Sequence, residues 1–215
     1  MDTAAGACSG ALWSNAAVVE RVQSMQRGHA EVLLPMLVSI MREAGCAFAD
    51  LDLIAVTVGP GAFTGLRVGL AAARGIALAS SLPCFGVSTL EAIAEAIDWP
   101  TLADRPALVV LDDKRDNVYA QLFAGGRALA PPSIETPKRL GERFSGRRLA
   151  VAGDAAALVT EALRATGSDI RPIAGAEYPT ASRVAAIAAR RWVSGERTGA
   201  SPAPIYLRSP ATGPQ

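Results

Sequence analysis

Apolar and polar positions alternate along residues 11–24 and break at Ser14-Asn15, a pattern that predicts a two-stranded antiparallel piece ending near Ser24. From His29 to Ala44 the apolar Val32, Leu33, Met36, Leu37, Ile40 and Met41 recur at helical spacing, and Gly45 supplies a stop. An amphipathic helix is expected there, with Pro35 kinking it or lying in its first turn. The β-branched run Leu53-Ile54-Ala55-Val56-Thr57-Val58 reads as a buried strand that breaks into Gly59-Pro60-Gly61. A second helix is expected from Thr64, its hydroxyl capping the amides of Leu66 or Arg67, to about Ser80. Gly65, Gly69, Ala73 and Ala77 then form a seam with almost no side chain, open to close approach by another element. Leu66, Leu70 and Ile76 lie off that seam, with Arg67 and Arg74 seven residues apart on one side. A strand over 83–87 and a helix capped by Ser88 or Thr89 and running through Ala96 complete the first half.

The second half repeats the theme. A link at 99–105, edged by prolines, leads to a strand at 107–111, a polar turn from Asp112 to Asn117 and a returning strand at 118–123 that ends at Gly125-Gly126. A strand at 149–152 opens through Gly153-Asp154 into a helix to about Thr166. The last helix spans 182–193, and residues 202–208 form an extended tail docked on the fold. Strand and helix alternate in both halves, so the expected architecture is α/β in two lobes, residues 1–100 and 101–215, with mixed sheets flanked by helices.

Composition narrows the chemistry. The 215 residues are 50% hydrophobic, enough for a sizeable core, and Lys+Arg 21 against Asp+Glu 20 is too balanced to hold nucleic acid by bulk charge. The apolar stretches 32–41 and 68–79 are interrupted by Pro35 and Arg74 and fall short of a membrane span. The first residues lack the basic and apolar regions of a secretory signal, and Cys8, Cys46 and Cys84, odd in number and far apart, fit reduced thiols in a cytoplasm.

His29 is the sole histidine and has no cysteine at ligand spacing, so a zinc site is not expected; it reads as a polar residue at a helix start. Gly-x-Ser-x-Gly is absent. The most informative segment runs from Gly59 to Arg67, where a strand ends in glycines and a helix opens with free amides. Gly59, Gly61, Thr64 and Gly65 are therefore candidates for a phosphate loop, although a structural strand-to-helix turn is the simpler reading without a Gly-Lys-Ser/Thr ending. Asp2-Thr3 and Asp112-Asp113 are candidate metal or phosphate groups, with turn and cap roles as the alternative.

These segments together resemble the TsaB family of bacterial tRNA threonylcarbamoyladenosine biosynthesis proteins, in the actin-like ATPase and sugar-kinase superfamily. The resemblance rests on Asp2-Thr3-Ala4 with Ala7-Cys8-Ser9, on His29 followed by Leu34-Pro35, and on Gly59 to Arg67, which matches the signature Gly-Pro-Gly-Ser-Phe-Thr-Gly-Leu-Arg with Ala62 for Ser. Gly86-Val-Ser-Thr-Leu-Glu91, Leu111-Asp112 with Arg115, and Pro204-Ile-Tyr-Leu-Arg208 extend it along almost the whole chain.

The resemblance implies two actin-like, ribonuclease H-like lobes. It also implies a relation to the catalytic subunit TsaD, which carries threonylcarbamoyl to adenosine N6 beside the tRNA anticodon and holds a metal with two histidines. Those histidine positions correspond here to Ser88-Thr89 through Ile93, so the implied role is a non-catalytic scaffold that binds and activates TsaD, with the ATPase subunit TsaE in the assembly. Contact with tRNA is expected only through the complex and no cofactor is required; a homodimer of the chain alone and weak ATP or ADP binding are compatible with this role, and the alternatives are a nucleotide-binding regulatory protein and, less favoured, a metal-independent peptidase-like hydrolase. The helices at 29–44 and 64–80 are the expected four-helix interface, through Leu33, Met36, Leu37, Leu66, Arg67, Leu70 and Arg74. Family members place a hydrophobic strand ahead of the Asp-Thr pair, whereas this chain opens at Met1-Asp2; a start further upstream is expected, since a missing central strand leaves its neighbours' backbone groups unpaired.

Overall fold

A computed structural model describes residues 1–14, 17–197 and 201–207. Its first half runs β1 (Ala7–Trp13), β2 (Val18–Ser24), α1 (His29–Glu43), β3 (Ile54–Gly59), α2 (Phe63–Ser80), β4 (Cys84–Ser88) and α3 (Thr89–Ala94). After the short α4 (Trp99–Leu102) come β5 (Ala107–Asp112), β6 (Val118–Ala124), β7 (Arg127–Ala128) and β8 (Ser133–Glu135). The chain continues through α5 (Pro137–Arg143), β9 (Arg148–Ala152), α6 (Ala156–Ala165), β10 (Asp169–Pro172) and α7 (Ala181–Val193). Class and composition of the lobes are as expected: α/β, with mixed sheets between helices.

The larger sheet has the order β10-β9-β5-β6-β7, with β8 also paired to β6; β5, β9 and β10 are parallel and β6 runs against β5. In the first lobe β1 pairs antiparallel with β2, and β3 pairs parallel with β4. Residues 1–3 join these two ribbons. Asp2 and Ser9 exchange both backbone hydrogen bonds at 2.9 Å, while the Met1 amino group donates to Ala55 O and the Thr57 amide donates to Met1 O. The opening residues thus lie antiparallel to β1 and parallel to β3, and both lobes follow the same scheme of antiparallel strands leading into parallel ones.

Strand periodicity sorts the core. Ile54, Val56 and Val58 face α1 and α2, while Ala55 turns to the opposite side with Phe85, Val87 and the α7 residues Val184, Ile187 and Ala188. In the second lobe Val109 and Leu111 meet Leu90 and Ile93 of α3, and Leu108 and Val110 meet Leu140, Val159 and Leu163 of α5 and α6. The layers therefore run α1/α2, first sheet, α3/α7, second sheet, α5/α6. α7 is fastened to α3 by a bidentate Arg190–Glu95 pair and by Arg191–Glu91.

Several expectations change. The division at residue 100 separates the two sheets, but α7 and the tail, placed in the second unit, pack on the first lobe: the Ala181 amide donates to Ser9 Oγ, and Ile205 joins the first-lobe core. The link at 99–105 contains the helix α4, and α5 and β10 are additional elements. Thr64 does not cap α2, which starts one residue earlier with Ala62 at its N-cap and no side-chain cap. Pro35 lies within α1, exposed and beyond its first turn. Asn15 and Arg208 fall outside the described residues.

Candidate functional site: the outer faces of two helices

β3 ends at Gly59 because its φ of 105° carries the chain out of the sheet, a conformation that L side chains rarely adopt. The following turn returns to residues 3–4, where the Ala62 amide donates to Ala4 O at 2.8 Å. The small-residue seam of α2 is used as its spacing suggests. A Cβ on Gly65 would run into the Thr3 carbonyl oxygen, and one on Gly69 would stand 2.5 Å from Thr3 Oγ1. Gly61 meets the Ala4 carbonyl in the same way. Of the candidate phosphate-loop glycines, Gly61 and Gly65 thus clear space for the opening residues, and Gly59 for the tail, where its Cβ would stand 2.9 Å from Ile205 O; Thr3 Oγ1 donates to Gly65 O at 2.7 Å across the Gly65 contact.

This close approach fixes which side of α2 faces inward. Leu66 and Leu70 are 1% and 3% exposed, as are Leu33 and Leu37 of α1 at 1% and 6%, and Met36 is half-buried against the same cluster. These five residues, expected at a partner interface, are core of the first lobe. Arg67 and Arg74 do lie outside. The outward apolar residues are different ones: Leu34 and Val38 on α1, and Phe63 and Leu78 on α2, Leu78 being 84% exposed. Between Phe63 and Leu78 the same stripe holds Arg67, Ala71 and Gly75, and a Cβ on Gly75 would meet nothing within 4 Å. α2 is apolar almost all round, so periodicity alone cannot choose its outer face. The signal that could have done so is the glycine at 65 and 69, which marks the side needing close approach.

The polar candidates are built into turns and caps. Asp2 Oδ1 accepts from Thr57 Oγ1 at 2.7 Å and from the Ala4 amide at 3.0 Å, while Oδ2 is buried without a partner. Burial pushes the Asp2 carboxyl up to about 6 and pulls the Met1 ammonium down to about 6. Asp112 Oδ1 accepts from the Lys114 amide, and Asp113 Oδ1 from the amides of Arg115 and Asn117. Asp154 accepts from the Asp112 amide, and Lys114 Nζ sits 3.0 Å from Asp112 Oδ2 and 3.6 Å from Asp154 Oδ2. Burial raises the Asp154 carboxyl against the pull of that hydrogen bond and that lysine.

At the end of β4, Ser88 Oγ and Thr89 Oγ1 are buried without partners, in the place where the resemblance put metal-binding histidines. His29 instead opens α1, buried, with Nε2 unpartnered. Among the described residues no three of His, Cys, Asp and Glu converge as a metal site would require, and no helix is long and apolar enough to cross a membrane. The Cys8 and Cys84 thiols, buried, are pushed up to about 11 and stay protonated at neutral pH.

A lobe of this α/β design, bearing a glycine-cleared helix and an exposed helix pair, has recognisable relatives. The family model described as TsaD, tRNA N6-adenosine threonylcarbamoyltransferase, matches residues 19–140, more than half of the chain, and the chain belongs to that family. Within it the chain is similar to the tRNA threonylcarbamoyladenosine biosynthesis protein TsaB of Escherichia coli, 37% identical over 119 residues, 55% of this chain and 51% of that protein. It is 48% identical over 100 residues to the tRNA N6-adenosine threonylcarbamoyltransferase of Erythrobacter litoralis, 46% of this chain and 26% of that one. The chain spans about half the length of the TsaB relatives it matches. The solved structure of YeaZ from Pseudomonas aeruginosa aligns over 96% of this chain and 97% of its own, with a TM-score of 0.80 and 27% identity.

Proposed function

We propose that this chain is a non-catalytic subunit in tRNA threonylcarbamoyladenosine biosynthesis that binds and activates a TsaD-type transferase through the outer faces of α1 and α2. The observation that carries this is the outward set Leu34, Val38 and Leu78: large apolar side chains left in water on two helices whose inner faces already fill the core. Gly75 beside Leu78 lets a partner helix come close, as small residues do at tight helix crossings. Arg67 and Arg74 border this strip, and α2 has no acidic residue, so a partner helix bearing carboxylates fits it. The hydroxyls of Ser88 and Thr89 stand where the resemblance places the transferases' histidines, which supports a subunit without the chemistry of its own. The ATPase TsaE joins this assembly in our reading, tRNA meets the chain only there, and the same strip makes a homodimer when the partner is missing.

Co-purification with the same organism's transferase, and threonylcarbamoyl transfer to tRNA with and without this chain, tests the proposal. Leu34→Asp and Leu78→Asp are expected to leave the fold intact and to weaken the complex at least tenfold. Full complex formation by both folded variants would remove the assignment. A nucleotide-binding regulator is the less supported reading, because Gly61 and Gly65 are occupied against Ala4 and Thr3. Titration of the isolated chain with ATP and ADP separates the two.

A further inference from the structure

The tail does more than close the fold. Residues 202–206 run alongside α2 in the opposite direction: Arg74 Nη2 donates to Pro202 O at 2.5 Å, and Arg67 Nε donates to Tyr206 OH at 3.4 Å. Four extended residues span ~13 Å, and the seven helical residues from 67 to 74 rise ~10 Å, so the two contacts are in register. Between them Ile205 anchors the tail, its amide donating to Val58 O at 2.7 Å and its half-buried side chain packing against the first-lobe core. Pro202 packs on Gly86, where an added Cβ would stand 2.9 Å from the proline Cβ. At the other end the Tyr206 ring lies 5.4 Å from that of Phe63, and the Arg67 guanidinium sits 3.7 Å above the Phe63 ring.

Both arginines are thus held in place by neutral groups: a phenol, a carbonyl and an aromatic face. None of these cancels a positive charge, and both side chains stay exposed. A long flexible side chain frozen before binding does not lose that freedom on binding, which is the advantage of preorganisation. Tyr, Arg and Phe clustered on one surface are also the residue types that anchor protein interfaces.

We propose that the segment Pro202–Tyr206 is a clasp that pre-orders the docking face of α2, holding Arg67 and Arg74 for the carboxylates of a partner helix and adding Tyr206 to the contact surface. This deepens the docking reading above and rests on it. Tyr206 and Ile205 act as positioning residues.

Two variants of the full chain test it, Tyr206→Ala, which removes the exposed stack, and Ile205→Ser, which loosens the anchor. In the isolated protein, amide hydrogen exchange over residues 61–67 is expected to rise at least threefold in both. Affinity for the transferase subunit is expected to fall about threefold to tenfold for Tyr206→Ala and tenfold or more for Ile205→Ser. Unchanged exchange, or binding as tight as or tighter than the parent's, overturns the clasp. If the parent chain itself fails to bind the transferase, the docking reading falls, and the exchange measurement still decides whether the tail orders α2.

Discussion

The amino group of Met1 donates to the carbonyl oxygen of Ala55 at 2.8 Å, in the middle of the first-lobe sheet. An ammonium there is shielded from water, and its neighbour Asp2 carries a carboxyl oxygen with no partner. Two ionisable groups are therefore held where neither charge is well solvated.

The Asp2 titration predicts a fall in stability between about pH 4 and 6. The Asp2 carboxyl is raised to about 6 in the folded protein, so the native state holds a proton that the unfolded chain releases, and stability falls as pH rises from about 4 to 6. The loss is worth roughly 3 kcal/mol. Tm measured across pH 4 to 6 should show the fall, with Asp2→Asn flattening it.

Ahead of Met1, between β1 and β3, lies a cavity of about 470 Å³ lined by Ala11, Trp13, Ile54, Ala55 and Trp192 among others. Ser9 turns its backbone groups to Asp2, so Ala11 and Trp13 turn theirs toward this cavity, and the Ala55 amide faces it from the other side. Three or four apolar residues fused before Met1 should enter it, raising Tm by roughly 5 °C, a gain of about 2 kcal/mol at this size. An unchanged Tm would mean that the cavity does not accept a further strand.

Two glycines of α2 should respond oppositely to alanine. Gly65→Ala sets a Cβ against the Thr3 carbonyl and forces α2 off the opening strand, for a net loss of about 2 kcal/mol despite better helix propensity. Gly75→Ala meets open space and should stabilise by up to ~1 kcal/mol. Urea denaturation of both variants makes the comparison.

Leu66 and Leu78 lie on the same helix with opposite roles. Leu66→Ala empties a core position and should cost about 3 kcal/mol, whereas Leu78→Ala should stay within about 0.5 kcal/mol of the parent. Equal losses at the two positions would mean that the helix faces are misassigned.

Thr136 caps α5 by accepting from the Arg139 amide at 3.2 Å, with Pro137 at the first helical position. Thr136→Ala should cost about 1 kcal/mol. This Thr-Pro pair is also the local signal from which α5 could have been read.

Much of this protein is determined by the sequence. The spacing of Leu33, Leu37 and Ile40, the β-branched run into Gly59 and the repeated strand-helix alternation define α1, β3 and an α/β fold in two lobes, because these signals are local periodicities that backbone geometry imposes. The glycine seam of α2 likewise announces a close contact. Which neighbour makes that contact depends on residues more than fifty positions away: Thr3 and Ala4 claim the glycine side, so Leu66 and Leu70 turn inward and Leu78 is left outside. The same holds for the return of α7 to the first lobe and for the tail over Arg67 and Arg74. Each is a packing choice among several available surfaces, and burial against a particular neighbour, which only the tertiary structure supplies, decides it.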